Sequence, residues 1–162
     1  MTTGRPSRAN VRAGLAGGVV GGACIWVYEA VVWAGVQHLL PLAAIPANAT
    51  GLMFGKAVQQ ELGIWASVLG TLTHFGFAAG WGVGFAAIWP WFLRRGWEAT
   101  ALALPFAVVL WVVMHCAIII AGHEHPNYLD PNVITGGVMS HLFFAVPLAL
   151  VVRAVLSKKE TD

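Results

Sequence analysis

Apolar residues gather into four long runs, Ala13 to Leu40, Gly63 to Leu93, Ala99 to Gly122 and Val133 to Leu156, with polar residues concentrated between them. A bilayer core of about 30 Å is crossed by about 20 helical residues, and each run reaches that length. The separating segments are "PLAAIPANATGLMFGKAVQQEL", "RRGWE" and "HEHPNYLDP". No repeat of the solenoid or propeller kind recurs, and no soluble stretch stands apart. The runs predict an all-α fold, a four-transmembrane-helix bundle forming one integral membrane domain over residues 1–162. The first run resembles a signal peptide in its flanks, with Arg5, Arg8 and Arg12 before it and Ala47-Asn48-Ala49 after it. It is too long for that role and contains Glu29.

Within the runs, small residues carry a second pattern. Gly14/Gly18, Gly17/Gly21 and Gly18/Gly22 recur at four-residue spacing in the first, and Gly76/Gly80/Gly84 in the second. Such glycines let helix backbones approach closely in lipid, and the same spacing suits a groove for a flat cofactor. Pro147, inside the fourth run, removes a hydrogen bond to the Phe143 carbonyl and predicts a kink about one turn after His141.

Charge adds direction. Only 10% of residues are charged against 58% hydrophobic, so the net charge of +2 says nothing of nucleic acid. What matters is where the cations sit. Arg5, Arg8, Arg12, Arg94, Arg95, Arg153, Lys158 and Lys159 fall on the two tails and the middle hairpin, leaving Lys56 elsewhere. Positive residues stay on the cytoplasmic side, which predicts both termini cytoplasmic. The expected partner is the lipid bilayer, with no nucleic acid. A homo-oligomer or a membrane-complex partner is left open.

Polar residues inside the runs are the candidate chemistry. Measured from the outer helix ends, Glu29, His74, His115 and His141 lie about 10 to 16 Å deep, one on each helix. A lone histidine in a membrane helix is commonly a hydrogen-bonded helix contact. Four ionisable groups at one level favour a shared site, because charge in lipid is costly and such groups face the bundle interior. Ser67, Thr71 and His74 recur at helical spacing as a polar stripe beside it. Three imidazoles and a carboxylate suit a divalent transition metal, zinc, iron or manganese, and four-helix bundles hold metals in this way. No HExxH, CxxC or Glu-x-x-His motif occurs. Two other readings stand beside the metal: a proton- or ion-responsive cluster titrating near neutrality, and a b-type haem held by two of the histidines.

The segment "GHEHPNYLDP" brings His123, Glu124, His125 and Asp130 above this level. It reads either as a mouth through which a metal ion or proton reaches the site, or as a polar, proline-stopped loop capping two helices. His38 reads as an interfacial histidine. Cys24 and Cys116 differ in depth by about 15 Å, too far for a disulfide. They read as apolar structural cysteines, with Cys116 as an alternative ligand beside His115. Asn48-Ala49-Thr50 matches a glycosylation sequon, and the tryptophans near helix ends fit an aromatic belt.

"GLAGGVVGGACIWVYEAVVWA", "TLTHFGFAAGWGVGFAAIWP", "WVVMHCAIIIAG" and "VMSHLFFAVPLALVVRA" together resemble the YagU-like bacterial inner-membrane proteins. Glu29, Thr73, His74, His115 and His141 are the matching positions. The resemblance covers the four helices and implies a multi-pass inner-membrane protein linked to acid tolerance. It implies no reaction, and the residues themselves assign no enzyme activity.

The orientation is directly testable. A cysteine introduced at Asn127 should react with a membrane-impermeant thiol reagent added from the periplasmic side, and one at Gly96 should be spared. The opposite labelling would invert the topology.

Overall fold

The computed structural model describes residues 7–123 and 125–157. Among them the chain is helical and holds no strand. Its elements are α1 (Arg8–Tyr28), a π-helical continuation (Glu29–Val36), α2 (Ala44–Phe54), α3 (Lys56–Leu62), α4 (Trp65–Leu93), α5 (Ala99–Ile120) and α6 (Pro131–Ser157). Four helical stretches, Arg8–Val36, Trp65–Leu93, Ala99–Ile120 and Pro131–Ser157, are long and apolar enough to cross a membrane. The first begins earlier and ends earlier than its apolar run. Ser7 caps it by accepting the Asn10 N–H at 3.2 Å, and a serine cap is a strong start signal. At the other end, the Gln37 N–H reaches back to the Val32 carbonyl and the Leu39 N–H to the Trp33 carbonyl, each at 2.8 Å. His38 then enters the left-handed region at φ 52° and the helix stops.

Helix α1 lies between α4 and α6 and runs antiparallel to both. Its glycines work on two faces. A Cβ on Gly14 would strike the backbone of Gly82 and Val83, one on Gly18 the backbone of Ala78 and Ala79, and one on Gly22 the side chains of Ala78, His74 and Phe75. On the other face, Gly17 meets Leu148 and Val152 of α6, and Gly21 meets Phe144. The α4 side of the seam is therefore Ala78 and Gly82. Gly76, Gly80 and Gly84 do not contribute as expected: a Cβ on any of them would meet nothing within 4 Å. Their spacing marks a face of α4, but that face points away from the bundle.

The long first connection also differs from a plain loop, because it folds into α2 and α3. Helix α2 packs along α4. The Thr50 hydroxyl donates to the Ala66 carbonyl at 2.6 Å, and Gly70 admits the Pro46 carbonyl where a side chain would collide. Gly55, at φ 93°, makes the corner between α2 and α3, a conformation that suits glycine. Helix α6 continues through Pro147 to Ser157.

The closest-packed part of the molecule is the half containing the described chain ends. Phe85, Leu148 and Val152 are fully buried there, with Trp89 and Leu102 nearly so. Asn10 donates to the Ala86 carbonyl at 3.3 Å and ties α1 to α4. The bundle is uneven elsewhere. Helices α4 and α5 are held apart by rings, Trp81 and Phe85 against Phe106 at 6.2 and 5.0 Å between centroids.

The seam predicts an asymmetric response to the same change. Gly18→Val should destabilise the protein by about 1–3 kcal/mol, because backbone must move to admit it, while Gly80→Val should leave stability nearly unchanged. Thermal unfolding of both variants in one detergent measures the difference.

Candidate functional site

Above the packed half, the space between α4 and α5 opens into a cavity of about 190 Å³. Glu29, His74, His115 and His141 all line it, one from each membrane-spanning stretch. The remaining wall is largely apolar and aromatic, with Trp26, Trp33, Phe77, Trp81 and Phe144 among its residues. Helix α2 covers one side with Ile45, Asn48 and Met53.

Each imidazole is oriented by a backbone carbonyl. His74 Nε2 lies 2.9 Å from the Gly22 carbonyl oxygen across the α1/α4 seam. His115 Nδ1 lies 2.6 Å from the Trp111 carbonyl, and His141 Nδ1 2.7 Å from that of Gly137, each four residues back on its own helix. A carbonyl only accepts, so each of these nitrogens carries the proton. In the neutral rings the other nitrogen, Nδ1 of His74 and Nε2 of His115 and His141, is then a bare acceptor. The hydroxyls are spent in the same way: Thr73 donates to the Leu69 carbonyl and Ser140 to that of Gly137, both at 2.8 Å. Thr71 donates to the Ser67 carbonyl at 2.7 Å and does not line the cavity.

The rings also pack on one another. His74 stacks on Trp26 at 4.7 Å. His115 and His141 stand 5.8 Å apart between centroids, and Tyr128 meets His115 edge-on at 4.5 Å. The Glu29 backbone N–H is engaged by the Ile25 and Trp26 carbonyls, while its carboxyl makes no hydrogen bond or ion pair with any described residue. The Trp111 indole N–H is packed against Gly137 and is buried without an acceptor.

The four residues expected to form a metal shell thus share a cavity without closing around one point. Among the described residues, no three His, Cys, Asp or Glu side chains stand close enough together to hold a metal ion. The physical reason is visible in the bonding: sequence spacing sets the depth of each imidazole, while a backbone carbonyl, of its own helix for His115 and His141 and of α1 for His74, sets where the ring points. Cys116 is exposed on α5 and does not line the cavity.

The α5–α6 segment acts largely as a fastening. His123 Nε2 donates to the Met53 carbonyl at 3.2 Å and joins the segment to α2. Asp130 accepts the Asn132 N–H at 2.8 Å and caps α6. His125 is exposed and stacks on Tyr128 at 4.9 Å. Burial pushes the Tyr128 hydroxyl above its ordinary value, so it is a neutral phenol at physiological pH. Glu124 lies outside the described residues. His38 is exposed and does not line the cavity.

Sequence reasoning did not reach Trp33, Asn48, Met53 and the rest of the α2 cover. The sequon match has a different meaning here, since Thr50 is fully buried and Asn48 faces the cavity. An alanine-rich segment carrying Pro41 and Pro46 offered the available signal, because Pro46 sits in the first turn of α2, where proline is tolerated. Comparison with protein-family models, with curated proteins and with solved structures gives no match to this chain.

The cover should loosen independently of the spans. Thr50→Val removes the bond to the Ala66 carbonyl and should cost about 1 kcal/mol. Hydrogen exchange should rise over residues 44–54 and stay unchanged in α5.

Proposed function

We propose that this multi-pass membrane protein is proton-responsive: its interhelical cavity takes up a cation, in the simplest case a proton, and helix packing changes in response. One observation carries the reading. Four titratable side chains, Glu29, His74, His115 and His141, line a single cavity to which, among the described residues, no lysine or arginine contributes. An ionised group in the membrane interior is costly without a partner. A proton added to a bare imidazole nitrogen needs an acceptor, and Glu29 is the anion within the same cavity. The groups facing the cluster from outside are Tyr128, against His115, and His125 stacked on it. They provide a chain of rings from the exposed loop toward His115.

The bacterial inner membrane and a role in acid tolerance, both implied by the YagU-like resemblance, fit such a site. The cation-rich end bearing Arg8, Arg12, Arg94, Arg95 and Arg153 would then face the cytoplasm. A bound transition metal is the second reading. Its support is the carbonyl that orients each imidazole through its other nitrogen, an arrangement typical of metal ligands. Haem fits less well, since a cavity of about 190 Å³ is closer to the 150 Å³ that accommodates benzene than to a porphyrin.

The test uses tryptophan emission, because a protonated imidazole packed on an indole, as His74 is on Trp26 and His115 on Trp111, quenches it. In lipid nanodiscs without added metal, tryptophan emission should fall in one transition as pH drops from about 8 to about 5, the range of histidine titration. Glu29→Gln should abolish that transition or shift it by about one pH unit. His38→Ala should leave it unchanged. A flat wild-type titration, or one unaltered in Glu29→Gln and His141→Gln alike, would exclude the proton reading. Stoichiometric metal that survives dialysis and is lost in those two variants would favour the metal.

A further inference from the structure

A second hollow adjoins the cavity. It is an apolar groove of about 340 Å³ between α1, α2 and α4, lined by residues that include Val27, Ala30, Leu42 and Phe75. Trp26 and Ile45 line both spaces, which therefore adjoin at these two side chains. The groove lies on the outer surface of two membrane-spanning helices, where Val27 is 62% exposed, so it faces the hydrocarbon of the bilayer. A lipid-facing apolar groove and a cavity that carries four titratable side chains therefore meet at Trp26 and Ile45.

The chemistry of the cavity selects what can occupy both. Its lining offers the Glu29 carboxyl and, among the described residues, no lysine or arginine, which disfavours an anion. Its aromatic faces, Trp26, Trp33, Phe77 and Trp81, favour a cation held against the rings. Hydrogen bonding narrows the choice. The bare imidazole nitrogens and the carboxylate are acceptors, and Thr73 and Ser140 have already given their protons to backbone carbonyls. Asn48 adds an amide that can both donate and accept, but an occupant that satisfies the carboxylate and the imidazoles must donate. A primary ammonium offers three N–H donors, whereas a quaternary ammonium offers none. Size fixes the remainder: a cavity of about 190 Å³ admits a head group and a few carbons, since 150 Å³ accommodates benzene. A longer chain has to extend beyond it, and the adjoining groove is an apolar space that can take it.

We propose that the two hollows form one site for a primary alkylammonium with a single apolar chain, taken laterally from the bilayer, its head at Glu29 and its tail in the groove. This rests on the reading of the cavity as a cation site, and it makes the amine a competitor of the proton for Glu29.

The experiment uses the full chain in nanodiscs of zwitterionic lipid at about pH 8, where a primary amine is still cationic. Binding of n-octylamine, n-octanol and n-octyltrimethylammonium is read from tryptophan emission, corrected for partition into empty nanodiscs. Octylamine should bind at least about tenfold more tightly than either analogue, and Glu29→Gln, checked for helicity and unfolding temperature, should erase that difference. Ala30→Trp fills the groove on its lipid side; it should weaken octylamine about tenfold and leave butylamine unchanged. Equal binding of octylamine and octanol by wild type, or undiminished octylamine binding by Glu29→Gln, would overturn the site. Equal binding of the trimethyl analogue would overturn the primary-amine class, and an Ala30→Trp protein that binds octylamine normally would remove the tail from the groove. A protein that titrates with pH but ignores amines sinks this inference alone. One that binds octylamine at Glu29 and shows no pH transition sinks the proton reading alone.

Discussion

The approach of α1 to its neighbours is set by glycine, and the shape of the interior follows from that contact. Gly14, Gly18 and Gly22 bring α4 close, while Gly17 and Gly21 bring α6 close. In lipid, where apolar burial offers no net drive between helices, such contact is what dispersion and backbone proximity reward. No comparable stripe joins α4 to α5. Their facing residues include Trp81, Phe85 and Phe106, which fill the interval at one level and leave it open at the next. The cavity is the part of a lopsided bundle that large side chains do not occupy.

That geometry also determines which polar groups reach the opening. Gly22 places a carbonyl of α1 against His74 of α4, so the seam that packs the helices also fixes one imidazole. About two turns farther, α1 passes into the π-helical stretch that begins at Glu29. A π-helix is rare and costs regular hydrogen bonding, and it commonly marks a functional position. Here the change of winding coincides with the carboxylate, and the same stretch carries Trp33 into the cavity wall.

Much of this was legible in the sequence for reasons that can be named. Four spans follow from hydropathy and the thickness of a bilayer, and the common depth of Glu29, His74, His115 and His141 follows from helical rise alone. Direction around each helix axis is another matter. Spacing identified Gly76, Gly80 and Gly84 as a face but could not say that the face is unpartnered, whereas Gly82 and Gly70, outside that series, do the packing. The π-helical winding has no residue signature. Helix α2 was hidden because, at eleven residues, it is too short to cross a membrane and contains a proline. The expected metal shell required four side chains to converge, and the i−4 carbonyls that capture His115 and His141 are invisible to any count of spacing.

Those carbonyls explain how a membrane interior tolerates so many polar side chains. Thr71, Thr73, His115 and His141 each give a proton to the carbonyl one turn back, so a helix can satisfy a donor without help from its neighbours. Glu29 has no equivalent recourse. A carboxylate only accepts when ionised, and the N–H groups in the middle of a helix are already engaged with carbonyls. The helix that carries Glu29 therefore cannot supply its partner, and the surrounding imidazoles have turned their N–H groups outward to the backbone. Whatever completes Glu29 must arrive as a donor: a proton on the carboxylate itself, a second proton on an imidazole, or the N–H of a ligand. The helical hydrogen-bond pattern that makes the other groups stable in lipid is the same one that leaves this carboxyl without a donor.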